Sequence, residues 1–329
     1  MRIAVDAMGS DNAPLSEIDG VVEVLKEDKD LEILLVGKEE LLSEFRDKFS
    51  SLPVEIVPAP EVIGMHESPS KAIREKKDSS ISKAIHLLKE KKVDAVVTMG
   101  NTGVAMTLTL FTLGNIPKVK RPALATTFPT LKGNALVLDI GANAEVKPEH
   151  LLQFGIMGSI TASLLFKKAS PTVGLLNIGE ESSKGNTLTI NAYNLLRDSG
   201  LNFIGNVEAC NILKGVADVI VCDGFVGNVM LKFGEGIIEL LNILLKEYLL
   251  GPSKYRLRRS VSKPVLQEFL SKLNYEETGG ALLLGVDGNV VIGHGRSTSI
   301  AVKNAIKTAS SCVKSSLSER LKEEFLKTV

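Results

Sequence analysis

The chain has 329 residues with 39 basic and 39 acidic side chains, so its formal net charge is zero and no global field draws it to nucleic acid. Hydrophobic residues make up 44% of it and aromatics only 5%, with no tryptophan, which disfavours a base-stacking surface. The three cysteines, Cys210, Cys222 and Cys312, show neither metal spacing nor even pairing and fit a reducing cytosol.

The chain enters a strand at Ile3–Ala7 almost at once, so no signal peptide is expected. Further apolar, β-rich runs predict strands over Leu31–Val36, Val54–Val57, Ala95–Thr98, Ala135–Asp139, Val173–Asn177, Phe203–Gly205 and Val219–Cys222. Few polar residues interrupt them, as expected of strands buried on both faces of a mostly parallel sheet. Helical spacing lies between them, over Ser79–Lys91, Pro148–Phe166 and Asn186–Arg197. The alternation predicts a doubly wound α/β fold across a single domain, 1–329. After Gly224 the pattern changes to a long apolar helix, about Asn228–Leu250, which Gly251-Pro252 ends. A basic stretch follows (Lys254, Arg256, Arg258, Arg259, Lys263), then an amphipathic piece over Val265–Leu273. Together they predict a protruding helical hairpin at about 237–275. Strands return at Ala281–Leu284 and Val290–Ile292, before a helix over Ser297–Ser316. The longest uncharged runs, Asn101–Pro117 and Leu151–Phe166, fall short of the roughly 20 residues of a membrane span.

Three strands end in small, glycine-rich, asparagine-bearing turns: Gly100-Asn101-Thr102-Gly103, Gly141-Ala142-Asn143-Ala144-Glu145 and Asp223-Gly224-Phe225-Val226-Gly227-Asn228. Such turns aim backbone N–H groups at one point and attract anions, phosphate above all. Ligands of open α/β sheets bind at the carboxyl ends of strands, where all three turns are expected to meet. The same turns also serve as plain helix caps, since Asn and Thr are favoured there. Lys184 stands in a polar loop, Gly179–Asn186, whose glycines would let its ammonium approach a bound anion; a loop lysine is otherwise solvated surface. Asp139 and Asp223 each end a strand, where they would cap the next segment, hold a loop or orient a catalytic group, and capping is the reading for Asp139. Lys118, Lys120 and Arg121 form a small basic group expected near the first turn. No G-x-x-x-x-G-K-S/T, G-x-S-x-G, H-E-x-x-H or strand-end G-x-G-x-x-G is present, and His66, His86, His150 and His294 are scattered. Neither a metal nor a nucleotide cofactor is expected.

Seven stretches, in order, resemble the bacterial phosphate acyltransferases of phospholipid synthesis: VDAMGSDNAP (5–14), MHESPSKAIREKKDSSI (65–81), GNTG (100–103), LDIGANAEVKPEHLLQFGIMGS (138–159), PTVGLLNIGEESSKGN (171–186), NFIGNVEA (202–209) and CDGFVGNVMLK (222–232). The chain departs from that family at Ser10, where glycine is usual, at Asn12, where histidine is usual, and at Met99, where alanine is usual. The resemblance implies a fold like that of phosphate acetyltransferases and isocitrate/isopropylmalate dehydrogenases. It also implies a homodimer without metal or nucleotide, which makes acyl phosphate from acyl-acyl carrier protein and inorganic phosphate for the glycerol-3-phosphate acyltransferase that follows. Such an enzyme is cytoplasmic and attached peripherally to the inner face of the cell membrane. Lys184 and Asn228 match the family's catalytic positions. Gly100, Asn101, Thr102, Gly103, Asn143, Asp223, Gly224 and Gly227 are expected to line the phosphate and substrate site.

Phosphate is largely ionised near neutral pH, so its attack on a thioester requires positioning and oxyanion donors rather than a strong base. A covalent acyl-enzyme on Cys222 is the competing route, although nothing beside it in sequence would activate the thiol. The hairpin is expected on a bilayer surface or in a dimer contact. Rival functions are a phosphate acetyl- or butyryltransferase using coenzyme A, and a non-catalytic membrane-surface scaffold for acyl carrier protein.

Overall fold

The computed structural model describes residues 1–250 and 279–327. Its strands are β1 (Arg2–Asp6), β2 (Glu32–Gly37), β3 (Val54–Pro58), β4 (Ala95–Thr98), β5 (Ala123–Thr130), β6 (Gly133–Leu138), β7 (Val173–Asn177), β8 (Phe203–Glu208), β9 (Val219–Val221), β10 (Ala281–Leu284) and β11 (Asn289–Ile292). Its helices are α1 (Leu15–Glu27), α2 (Glu39–Ser43), α3 (Pro69–Glu75), α4 (Ser80–Lys89), α5 (Thr102–Leu113), α6 (Pro148–Leu165), α7 (Thr187–Arg197), α8 (Ala209–Ile212), α9 (Gly224–Leu250), α10 (Ser299–Lys314) and α11 (Leu317–Lys327).

All the strands join one sheet in the order β3-β2-β1-β4-β11-β10-β5-β6-β9-β7-β8. Their uninterrupted apolar runs follow from helices on both faces. Ile3, Val5, Val97, Leu136, Leu138, Val219 and Val221 point into one core with α1, α6, α7, α10 and α11. Ala4, Val96, Val137 and Ile220, the alternate residues of the same strands, point into a second core with α4 and α5. Each large side chain buried this way contributes roughly 1.5–3 kcal/mol. Helix α6 lies close on the first face because of its glycines. A methyl group on Gly158 would stand 2.5 Å from Val219 Cγ1 and 2.9 Å from Leu138 Cδ2.

The α/β class and the mostly parallel sheet match the expectation, but the sheet is mixed. Seven pairings among the described residues are parallel. Three consecutive ones in the middle, β11–β10, β10–β5 and β5–β6, are antiparallel. An odd number of reversals turns the strand direction over. The block β3, β2, β1, β4 and β11 runs opposite to the block β6, β9, β7 and β8.

The stretch where the first half of the hairpin is expected forms the end of α9. The expected second half, with the basic stretch Lys254–Lys263 and the piece Val265–Leu273, lies outside the described residues. No helix among the described residues is long and apolar enough to cross a membrane.

Candidate active site

The reversal separates the three turns. The carboxyl end of β4 carries Gly100–Gly103 to one edge of the sheet. Those of β6, β9 and β7 carry Gly141–Glu145, Asp223–Asn228 and the Lys184 loop to the opposite edge. The expectation of one shared rim is corrected. It assumed a uniformly parallel sheet, whereas β10 and the β5–β6 hairpin invert it. The basic group Lys118, Lys120 and Arg121 moves with this correction. It sits by the second turn, where Asn143 Nδ2 donates to Pro122 O over 2.7 Å.

The second and third turns do meet, around an anion the chain supplies itself. Asp139 is fully buried. Its Oδ1 accepts from the backbone N–H of Leu124 (3.1 Å), Gly141 (3.0 Å) and Ala142 (2.8 Å), and its Oδ2 from Asn143 N (2.7 Å) and Asn143 Nδ2 (2.8 Å). Burial pushes the carboxyl group above its ordinary range, and these donors work against that rise. In the third turn Asp223 Oδ1 accepts from Phe225 N (3.0 Å) and Val226 N (2.9 Å), a cap on α9. Gly224 N donates to Asn143 O (2.8 Å) and Gly227 N to Asp223 O (2.9 Å). The backbone donors of Gly141–Asn143 and Gly224–Gly227 are therefore already engaged.

The first turn is also built from within. Asn101 Oδ1 accepts from Val104 N (3.1 Å), while its Nδ2 donates to Met65 O (2.9 Å) and Glu67 O (3.0 Å). Asn101 thus caps α5 and pins the segment before α3, and Asn143 is likewise committed. Neither presents a spare amide to a ligand in the way the sequence led us to expect. Gly100 packs against Gly9, where a methyl group would lie 2.7 Å from Gly100 N. Thr102 stands exposed at the start of α5.

Two of the expected site residues on the opposite edge keep a free side-chain donor. Lys184 is exposed, and its ammonium has no hydrogen-bond or ion-pair partner among the described residues. Its loop is closed by Lys184 N donating to Glu181 O (3.0 Å) and Asn177 Nδ2 donating to Lys184 O (3.1 Å). Asn228, in the first turns of α9, is half-buried, and its Nδ2 donates to Ile140 O over 3.1 Å. That bond uses one amide hydrogen and leaves the other. Strands β7 and β9, which deliver these residues, are parallel neighbours, with Leu175 opposite Val221. Cys222, by contrast, is buried with its Sγ 3.3 Å from Asp139 O. Burial first, and then the charges of Asp139 and Asp223, push its thiol well above the ordinary range. Among the described residues no group of three or more His, Cys, Asp or Glu side chains could hold a metal ion.

The chain is 46% identical over 330 residues to the phosphate acyltransferase of Thermodesulfovibrio yellowstonii, covering 100% of this chain and 95% of that one. It is 48% identical over 327 residues to the phosphate acyltransferase of Dictyoglomus turgidum, covering 98% and 97%. The chain belongs to the phosphate acyltransferase family. Residues 1–320 match the wider family described as fatty acid synthesis protein. Membership makes the chain an enzyme of phosphate acyl transfer. Among solved structures, the EutD phosphotransacetylase of Staphylococcus aureus resembles it with a TM-score of 0.59 at 15% identity, covering 94% of both chains. A phosphotransacetylase from Streptococcus pyogenes does so with a TM-score of 0.59 at 16% identity, covering 95% and 94%. These likenesses show a common fold.

Sequence reasoning missed the buried polar group at the β1 end. There Asp6 Oδ2 accepts from Thr98 Oγ1 (2.7 Å), and Glu17 Oε1 accepts from Ser10 N (3.1 Å). Burial pushes Glu17 up to about 7 and raises Asp6 as well. The only signal was a glutamate on the apolar side of the α1 pattern, beside Ile18 and Val21.

Proposed function

We propose that the enzyme makes acyl phosphate from acyl-acyl carrier protein and inorganic phosphate by direct attack on the thioester, supplying glycerol-3-phosphate acylation in phospholipid synthesis. The observation that carries this reading is the pair of unspent donors, Lys184 and Asn228, at the carboxyl ends of neighbouring parallel strands. A phosphate oxygen bonds to the acyl carbon, the carbonyl electrons move onto its oxygen, and their return expels the thiolate, which takes a proton from water. Lys184 holds the phosphate and balances its charge. Asn228 turns its second amide hydrogen to the developing oxyanion. The amides of Gly141–Asn143 and Gly224–Gly227 are spent inside the chain, which favours the Gly179–Asn186 loop as the seat of phosphate. The buried, unactivated Cys222 thiol argues against an acyl-enzyme.

The exposed apolar face of α9, with Phe225, Val229, Phe233, Ile237 and Leu240, supports a contact with a second copy of the chain. The basic stretch beyond it supports attachment to an anionic membrane surface from the cytoplasmic side. Sedimentation velocity, and co-sedimentation with anionic vesicles, test these two readings. The reaction is tested by mixing purified protein, acyl-acyl carrier protein and labelled phosphate. Phosphate-dependent thiol release with label in acyl phosphate is expected. Release without phosphate, or activity with acyl-coenzyme A alone, would overturn the proposal.

A further inference from the structure

We infer that Asp139 is a positioning residue for the reaction, acting through Asn228. The inference rests on the reading of Asn228 as oxyanion donor. The side chain is fully buried at the end of β6 and accepts from five N–H donors, three of them successive backbone amides, Gly141 to Asn143. A strand-end loop that faced an anion would show it those amides. Here they wrap a carboxylate of the chain itself, and that fixes the course of residues 140–143.

The loop so fixed holds Asn228 at two points. Ile140 O accepts from Asn228 Nδ2, setting the plane of the amide. Gly141, at φ +146°, backs the same nitrogen so closely that a methyl group there would lie 2.8 Å from it. A third contact fixes the helix itself, since any side chain at Gly227 would collide with the carbonyl oxygen of Asp139. The first turns of α9 therefore have one seat, and the remaining amide hydrogen of Asn228 has one direction. A carboxylate suits this role where an amide does not. Asparagine would offer one acceptor oxygen and turn its own NH2 group against some of the donors that Asp139 satisfies.

The test is a double-mutant cycle. Asp139→Asn, Asn228→Ala and the double variant are assayed well below their melting temperatures, with kcat expressed per folded molecule. Asp139→Asn alone is expected to lower kcat about 10- to 100-fold while KM for phosphate stays within about threefold. In the Asn228→Ala background the same change should alter kcat less than about twofold, because its target is gone. A full additional loss in that background, or wild-type kcat in Asp139→Asn, overturns the positioning role. Wild-type kcat in Asn228→Ala would instead overturn the reading of Asn228 itself. Should Asp139→Asn not fold, Gly141→Ala displaces the Asn228 amide with Asp139 intact. It should show the same dependence on Asn228, and full kcat in Gly141→Ala counts against the inference.

Discussion

The side-chain amide of Asn177 reaches across its own loop to the main-chain carbonyl of Lys184, 3.1 Å away. That bond ties the end of β7 to the lysine and closes the loop into a ring. Gly185 completes it at φ +101°, where a methyl group would stand 2.6 Å from Asn177 Oδ1. The ring holds the backbone of Lys184 while its ammonium stays free.

Removing that ammonium should therefore cost turnover and not stability. Lys184→Ala and Asn228→Ala are expected to melt near the wild-type temperature and to lose about 100- to 1000-fold in kcat, the usual effect of deleting one oxyanion donor. Circular dichroism melts beside thiol-release assays read both quantities. Near wild-type turnover in both variants would remove these residues from the chemistry.

Cys222→Ser should retain activity within a few fold. The thiol donates to Asp139 O from a buried position, and a serine hydroxyl can make the same bond. Collapse of turnover in a variant that still folds would restore the acyl-enzyme route.

Asn101→Ala should loosen structure and leave phosphate recognition alone. It removes the α5 cap and both bonds to the Met65–Glu67 segment, a cost of about 1–3 kcal/mol. Urea unfolding should show the loss, and limited proteolysis should cut faster near residue 66. A rise of tenfold or more in KM for phosphate would instead make Asn101 a ligand residue.

Glu17 gives stability a pH dependence of definite sign. Burial raises its carboxyl from 4.5 to about 7, so the folded chain holds the proton more tightly than the unfolded one. The stabilisation is fully present below about pH 4.5 and is lost as pH rises through about 7, amounting to about 3 kcal/mol. Glu17→Gln, which keeps the neutral shape, should unfold at higher urea than the wild type at pH 8 and at a similar concentration at pH 4.5. Parallel behaviour of the two chains across that range would contradict this.

Part of this architecture was plain in the chain, for physical reasons that can be named. Buried parallel strands read as unbroken apolar runs, so β1, β4, β7 and β9 stood out. Strand β5 did not, because Pro129 interrupts its pattern near the hairpin turn. Helix α11 hides its buried Leu317, Leu321 and Phe325 among charged neighbours. Strand order was beyond reach, since β4 and β11 pair residues nearly two hundred positions apart and no local signal encodes that choice. The candidate site divides along the same line. Lys184 and Asn228 stand in suggestive loops, but only the resemblance to a family marks them out from the other polar residues there. That Asp139 would absorb the neighbouring amides depends on which way one buried side chain faces.

The late strands β10 and β11 are wedged between β4 and β5. During synthesis the two blocks of the sheet must wait for residue 292 to leave the ribosome before they can be joined. Until then β4 and β5 each present an unpaired edge, ready to zip onto another nascent chain. A stop codon anywhere upstream of β10 would therefore yield a polypeptide with two sticky borders, one that precipitates or is degraded.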